Sequence, residues 1–160
     1  MRMRCTEFRF GVVSLPVTLL ATLSAVALSA PSAWGLELAV AGGGKSIPFP
    51  IPDGRFELSW IHSVERTEWR ETFRVDRVGN ILRVASEFAS AGAGLPDRVG
   101  EGETFRMANG KMRLEGGSVA MGALRVRLSD VSRHYLRVGG VRVDLNEAFG
   151  DGVLTIQAVP

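Results

Sequence analysis

Two short segments and one isolated acid carry the side chains best suited to chemistry. His62-Ser63-Val64-Glu65 combines an imidazole, a hydroxyl and a carboxylate, and Glu71 follows shortly after. Such groups can form a small polar recognition site, or they can hydrogen-bond to one another and fix a loop. Both interpretations are open for the candidate site residues His62, Ser63, Glu65 and Glu71.

The second segment, Ser90-Ala91-Gly92-Ala93-Gly94, is rich in glycine and leads into Leu95-Pro96. Backbone N–H groups around Ser90, Gly92 and Gly94 can converge into an anion-binding nest. The glycines can equally supply only the positive φ angles of a tight turn. Gly-x-Gly without a following helix does not decide between the two.

The pattern of these groups argues against a metal site or a hydrolase. A metal site would need His62 with Glu65, Glu71 or His134, and these residues lack the spacing of known ligand motifs. Ser63 directly follows His62, and no nucleophile-elbow motif is present. We therefore expect a protein that is not an enzyme and holds no metal or cofactor.

Alternating strands must position these residues. Arg55 to Ile61 alternates apolar and polar residues, and in Thr67 to Asp76 the face that carries Trp69, Phe73 and Val75 also carries Glu71. A shift of the strand register by one residue would expose Trp69, Phe73 and Val75 together. Glu71, on the same face, is therefore predicted to point toward the core. A buried carboxylate needs a charge partner or hydrogen bonds. The candidate partner is His62, which a hairpin between the two strands would bring near, or an arginine.

The rest of the chain continues the same pattern. Ile81 to Ala89 predicts a third strand, with Leu82, Val84 and Phe88 on one face. Asn109-Gly110 and Gly139-Gly140 are two-residue hairpin signals, and the only helical signal is a turn near Ser129 to His134. About nine short strands separated by turns predict an all-β fold, a single antiparallel β-sandwich or partly open barrel.

Residues 1–35 form a segment apart from this domain, which spans residues 36–160. Arg2, Arg4 and Arg9 precede an uncharged apolar run over residues 11–30, and small residues follow up to Gly35. This is the pattern of a secretory signal peptide. The run is also long enough to serve as an uncleaved anchor in the inner membrane. Either interpretation predicts an exported, periplasmic domain.

Charge and cysteine content follow from that division. The leader holds three of the 19 basic and one of the 17 acidic residues, which leaves 16 of each in the domain. We therefore expect no nucleic-acid partner. Cys5, in the leader, is the only cysteine, so the domain is expected to fold without disulfides. The arginines on outer strand faces, Arg70, Arg74, Arg125 and Arg127, are interpreted as a solvated face.

Three motifs together resemble a known family. They are Trp60-Ile-His-Ser-Val-Glu65, the downstream Glu71, and Phe88-x-Ser90-x-Gly92-Ala-Gly-Leu-Pro96. In this order and spacing they resemble the domain-of-unknown-function family numbered 1850, over Leu36 to about Val159. The resemblance implies no catalytic residue.

What the resemblance implies is an association with tripartite ATP-independent periplasmic transporters of the TAXI type. The expected function is that of an exported, non-catalytic accessory domain, whose partner is the transporter membrane subunit or its solute-binding protein. No permease is fused to this sequence, so the contact is expected in trans. The alternative is a periplasmic binding module for a small anionic ligand such as a carboxylate.

Overall fold

A computed structural model describes residues 35–89, 99–117 and 120–159. Residues 1–34 of the predicted leader, and with them Cys5, lie outside the described residues, as do Ser90, Gly92 and Gly94. In the described ranges no helix has both the length and the apolar character needed to cross a membrane.

The described residues form twelve strands and one short helix. In chain order these are β1 (Glu37–Gly42), β2 (Lys45–Pro50), β3 (Arg55–Ile61), β4 (Glu68–Val75), β5 (Ile81–Phe88), β6 (Glu103–Ala108), β7 (Lys111–Gly116), β8 (Ala120–Met121), β9 (Ala123–Leu128), β10 (His134–Val138), β11 (Val141–Asp144), α1 (Leu145–Phe149) and β12 (Gly152–Val159).

The strands build two antiparallel sheets in a sandwich-like arrangement that does not close into a barrel, which confirms the predicted fold class. The small sheet has the order β2-β1-β12-β9. The large sheet has the order β11-β10-β3-β4-β5-β7-β6, and the two-residue strand β8, which has no clear sequence signal, also pairs with β5.

Tight turns set the register of the hairpins. Asn109 and Gly110 join β6 to β7 with φ angles of 53° and 73°. Gly139 and Gly140 join β10 to β11 with φ angles of 54° and 82°. Two successive positive φ angles define the type I′ turn that favours hairpins. Both predicted two-residue hairpins are therefore confirmed.

The main core lies between the sheets. Phe56 and Phe73 stack at the centre of the large sheet, with ring centroids 4.9 Å apart. The small sheet contributes fully buried aliphatic side chains to the same cluster, among them Leu38, Val40, Leu154 and Ile156. Alternate residues of each strand supply these side chains, as the alternation in the sequence requires.

A bulge in β5 changes the predicted faces of that strand. Thr72 of β4 lies opposite Ala85, whereas Phe73 lies opposite Arg83, so Val84 has no counterpart in β4. An extra residue in one strand shifts the alternation by one position. The prediction that Leu82, Val84 and Phe88 share one face is therefore wrong, and Arg83 faces inward with Phe73.

The single helix follows β11. The Asp144 side chain accepts a hydrogen bond from the Glu147 backbone N–H at 3.0 Å, and Gly150, with a φ of 74°, ends the helix. The Ser129 to His134 segment, where the sequence indicates a helical turn, instead closes with a β-bridge between Ser129 and Ser132.

Candidate functional site

The loop between β3 and β4 holds His62 in place. The His62 backbone N–H donates to the Thr67 carbonyl at 2.8 Å, and its own carbonyl accepts from Arg66 at 2.8 Å. Its ring nitrogen Nδ1 accepts the backbone N–H of Glu65 at 3.3 Å. Ser63 is exposed at the tip of the loop. The His62 imidazole therefore stabilises its own hairpin loop.

Glu71 points toward the inner face of the large sheet, as its register predicts. It lies opposite Leu58 of β3 and Ser86 of β5. One carboxylate oxygen accepts from Arg83 Nη1 at 3.5 Å and from Ser86 Oγ at 3.5 Å.

The predicted His62–Glu71 pair is wrong. The register places Trp60 opposite Trp69 between the two residues, so that His62 stacks on Trp69 with ring centroids 5.2 Å apart. The bulge in β5 turns Arg83 inward, and Arg83 provides the charge that neutralises Glu71.

The Arg83 guanidinium links two carboxylates. Its second nitrogen, Nη2, donates to Glu103 of β6 at 3.0 Å, and the other Glu103 oxygen accepts the Gly100 backbone N–H at 2.9 Å. Burial raises the pKa of Glu71 above its ordinary value, because the effect of burial exceeds the opposing effects of Arg83 and Ser86. Glu71, Arg83, Ser86 and Glu103 thus form a polar centre that joins three strands.

A row of rings crosses the sheet beside this polar centre. His134, Trp60, Trp69 and Phe88 lie on four neighbouring strands, with successive ring centroids 6.0 Å, 5.9 Å and 5.0 Å apart. Stacked rings at these distances add about 0.5–1.5 kcal/mol per pair to the effect of area burial. The row therefore makes this part of the sheet rigid.

His134 ends the row and is buried. Burial lowers the pKa of the imidazole, and the Ser132 carbonyl offsets only part of that shift. Nδ1 of His134 makes no well-formed hydrogen bond within the described ranges, and neither does Nε1 of Trp69. Such unpartnered buried atoms are uncommon in proteins, and a polar group brought by a ligand can satisfy them.

A cleft of about 260 Å³ lies between the sheets, and both Glu71 and His134 line it. Its lining residues are Leu58, Trp60, Glu71, Phe73, Leu124, Arg125, Val126 and His134. Apolar walls with a few convergent polar groups are the usual composition of a ligand site. We refer to this space as the inter-sheet cleft, and it is the candidate functional site.

A larger hollow of about 540 Å³ lies near Leu36 and offers less chemistry. Its acid Asp76 accepts from the Asn80 side-chain amide at 2.9 Å and from the backbone N–H groups of Asn80 and Val78, and these hydrogen bonds lower the pKa of Asp76. Asp53 accepts from the Arg55 N–H. These carboxylates stabilise turns. The polar groups of this hollow are therefore already used by the fold.

The structure separates the predicted site residues. Glu71 lines the cleft, whereas His62, Ser63 and Glu65 belong to the hairpin loop. Sequence reasoning considered His134 only as a metal ligand and did not identify Arg83. In the described ranges, no three His, Cys, Asp or Glu side chains converge on a metal position.

The fold and the cleft together define an antiparallel β-sandwich domain with a partly polar inner face. The family model described as Domain of unknown function (DUF1850) matches residues 56–145, and the chain belongs to this family. The match runs from β3 to the start of α1 and includes Glu71, Arg83 and His134. No curated protein and no solved structure shows significant similarity to the chain.

Proposed function

We propose that this protein is an exported, non-catalytic accessory domain that acts with a TAXI-type transporter. The family match is the observation that carries the proposal. The resemblance to this family implies an association with a transporter of this type. The basic and apolar leader supports export. The partner is the membrane subunit of the transporter or its solute-binding protein.

The geometry of the polar groups supports a scaffolding role for most of them. Glu71 and Glu103 both bind Arg83, and His62 stabilises its loop. Groups engaged in this way fix the shape of the large sheet and its surface. The strand edges and the inter-sheet cleft are then the surfaces that can bind a partner or a ligand.

Cross-linking in the membrane tests this proposal. The full chain with a C-terminal tag is expressed together with its genomic neighbours, cross-linked, solubilised and captured. Recovery of a transporter subunit by this chain, and not by an unrelated exported β domain with the same tag, is the expected result. If the transporter is expressed and no subunit is recovered, the proposal fails.

The inter-sheet cleft favours a second candidate, a binding module for a small carboxylate with an apolar body. Trp60, Phe73 and Val126 offer apolar contact, and Arg125 lies at the β9 side of the cleft. A ligand that binds only the folded state raises the melting temperature. A panel of millimolar aliphatic and aromatic acids is therefore expected to contain stabilising members.

A variant that fills the cleft provides the control for this panel. Val126→Phe introduces a ring into the cleft and is expected to abolish the stabilisation by acids. Val141→Phe, at an exposed position of β11, is expected to retain it. If no acid stabilises the wild-type protein, or if both variants respond like the wild type, the cleft is not the binding site.

A further inference from the structure

The edges of the two sheets differ in how well they are protected. An edge strand presents unpaired backbone N–H and C=O groups and can accept a further strand. In the described part of the chain the edge strands are β2, β9, β11 and β6. Pro48 and Pro50 block hydrogen bonding along β2, and β11 has only four residues before α1 begins.

Strands β6 and β9 lack such protection, and of the two only β9 borders the inter-sheet cleft. The six residues of β9 contain no proline, and β12 is its only partner in the described ranges. Leu124 and Val126 are half-buried and line the inter-sheet cleft, and Arg125 and Arg127 alternate with them and are exposed, with Arg125 also at the rim of the cleft. A strand added to β9 would therefore lie over the open side of the cleft.

The two arginines of β9 differ from most arginines of the large sheet, although Arg55 and Arg74 there also form no ion pair with a described residue. Arg70, Arg83, Arg106, Arg113 and Arg137 each lie within 4 Å of a glutamate carboxylate. Arg125 and Arg127 form no ion pair or side-chain hydrogen bond with any described residue. Both arginines are exposed, in agreement with the sequence-based interpretation of a solvated face, and neither has an acidic partner among the described residues.

We propose that the free edge of β9 binds an extended acidic segment of a partner protein by strand addition. Residues directly opposite each other in paired strands share a face of the sheet. Partner residues opposite Arg125 and Arg127 are therefore acidic, and those opposite Leu124 and Val126 are apolar and enter the cleft. Backbone hydrogen bonds supply affinity, and the alternating side chains supply specificity.

The arginines also disfavour other occupants of this edge, although the large sheet tolerates the opposed arginine pairs Arg55–Arg74, Arg106–Arg113 and Arg137–Arg142. Two copies of the chain paired through β9 would bring arginines close to arginines, and like charges on paired strands repel. A neutral or basic segment would leave both guanidinium groups without a counter-charge. The edge thus selects an acidic strand through both attraction and repulsion.

A synthetic peptide of alternating Glu and Val, about eight residues long to match a strand, tests the inference. Titration into the isotope-labelled protein is expected to shift the backbone amide signals of residues 123–128. Arg125→Glu combined with Arg127→Glu is expected to weaken binding about tenfold. The same double variant is expected to bind the corresponding Lys-Val peptide, which the wild-type protein rejects.

Arg55→Glu combined with Arg74→Glu is the matched control. These two exposed arginines lie opposite each other on the large sheet. Their replacement changes the net charge by the same amount as the β9 double variant does, and it leaves β9 unchanged. The control is expected to bind the Glu-Val peptide like the wild type. Absence of peptide binding, or equal weakening in both double variants, overturns the inference. A dimer that the β9 variant dissociates would assign the edge to a second copy and also overturn it.

The inference rests on the proposed function, because a transporter component is the partner that would supply the acidic strand. The membrane capture, repeated with both double variants, separates the two proposals. Capture of a transporter subunit by all variants retains the accessory role and rejects the β9 edge. Peptide binding at β9 without capture by the wild type retains the edge and rejects the transporter.

Discussion

At the scale of single residues, the fold depends on how one inward carboxylate is neutralised. Glu71 and Glu103 share the guanidinium of Arg83, and only 12% of the Glu103 side chain is exposed. Removal of one partner of a buried ion pair is costly, because the remaining charge is left without compensation. The polar centre is therefore sensitive to truncation.

Glu71→Ala is expected to lower the free energy of unfolding by about 1–3 kcal/mol. The substitution leaves Ser86 without its acceptor and Arg83 with Glu103 alone. Denaturant unfolding measures the loss. Glu115→Ala, which removes a carboxylate from the opposite, more exposed face, is the control and is expected to change stability by less than about 0.5 kcal/mol. Equal stability of Glu71→Ala and the wild type would contradict the inward placement.

The raised pKa of Glu71 predicts a pH effect of defined sign. Between its ordinary value of 4.5 and its raised value, the folded protein binds more protons than the unfolded chain. Stability therefore falls as pH rises through this window. Glu71→Gln is expected to remove that contribution. Melting curves of both proteins between pH 4 and pH 8, in about one-unit steps, measure the difference. Parallel curves for the two proteins would contradict the prediction.

The direction of Glu71 could be predicted, but its partner could not. Alternation around Trp69, Phe73 and Val75 is a local signal, and any register that buries these residues also turns Glu71 inward. Arg83 faces inward only because β5 contains a bulge. Strict alternation places Arg83 on the opposite face, so the sequence alone offered His62 or an arginine as the partner and could not identify Arg83.

At the scale of elements, local turn chemistry was sufficient for the hairpins. Asn109-Gly110 and Gly139-Gly140 specify their turns without help from the rest of the fold. The short helix α1 has a signal of the same kind, since Asp144 and Glu147 have the spacing of a capping box. Five residues are too few to show helical periodicity, which is why α1 is not predicted from the sequence.

Asp144→Ala is expected to destabilise the protein by about 1 kcal/mol, because it removes the acceptor for the Glu147 N–H. Thermal unfolding measures the change. Asp151→Ala, an exposed acid after the helix, is the matched control and is expected to have little effect. A similar loss in both variants would show that net charge, and not capping, determines the stability of α1.

At the scale of the whole molecule, the class of fold could be predicted from the sequence, but the pairing of strands that are far apart in sequence could not. Frequent turns between alternating runs indicate a sandwich. No local pattern indicates that β1 pairs with β12, or that the chain leaves the large sheet after β8 and joins the edge of the small sheet as β9. The inter-sheet cleft follows from these long-range pairings, so its combination of Glu71, His134 and Val126 required the structure.

The segment that matches the family model is expected not to fold by itself. Residues 56–145 lack β1, β2 and β12, three of the four strands of the small sheet. Phe56, Leu58 and Leu136 would lose the layer that covers them. Residues 35–160 are expected to show cooperative thermal unfolding by circular dichroism, and residues 56–145 are expected to show none. A cooperative transition in the shorter chain would mean that the large sheet is stable alone.

The pairing of β1 with β12 also has a consequence for the order of folding. The strands of the large sheet follow one another in sequence from β3 to β11, interrupted only by β9 among the described strands, and most of them pair with a near neighbour. Such pairings close short loops and form quickly. The small sheet cannot be completed until β12 is synthesised, and β12 follows all the other described strands in the chain. Until β12 pairs, the apolar inner face of the large sheet is exposed. We expect a chaperone to bind this apolar surface during that interval.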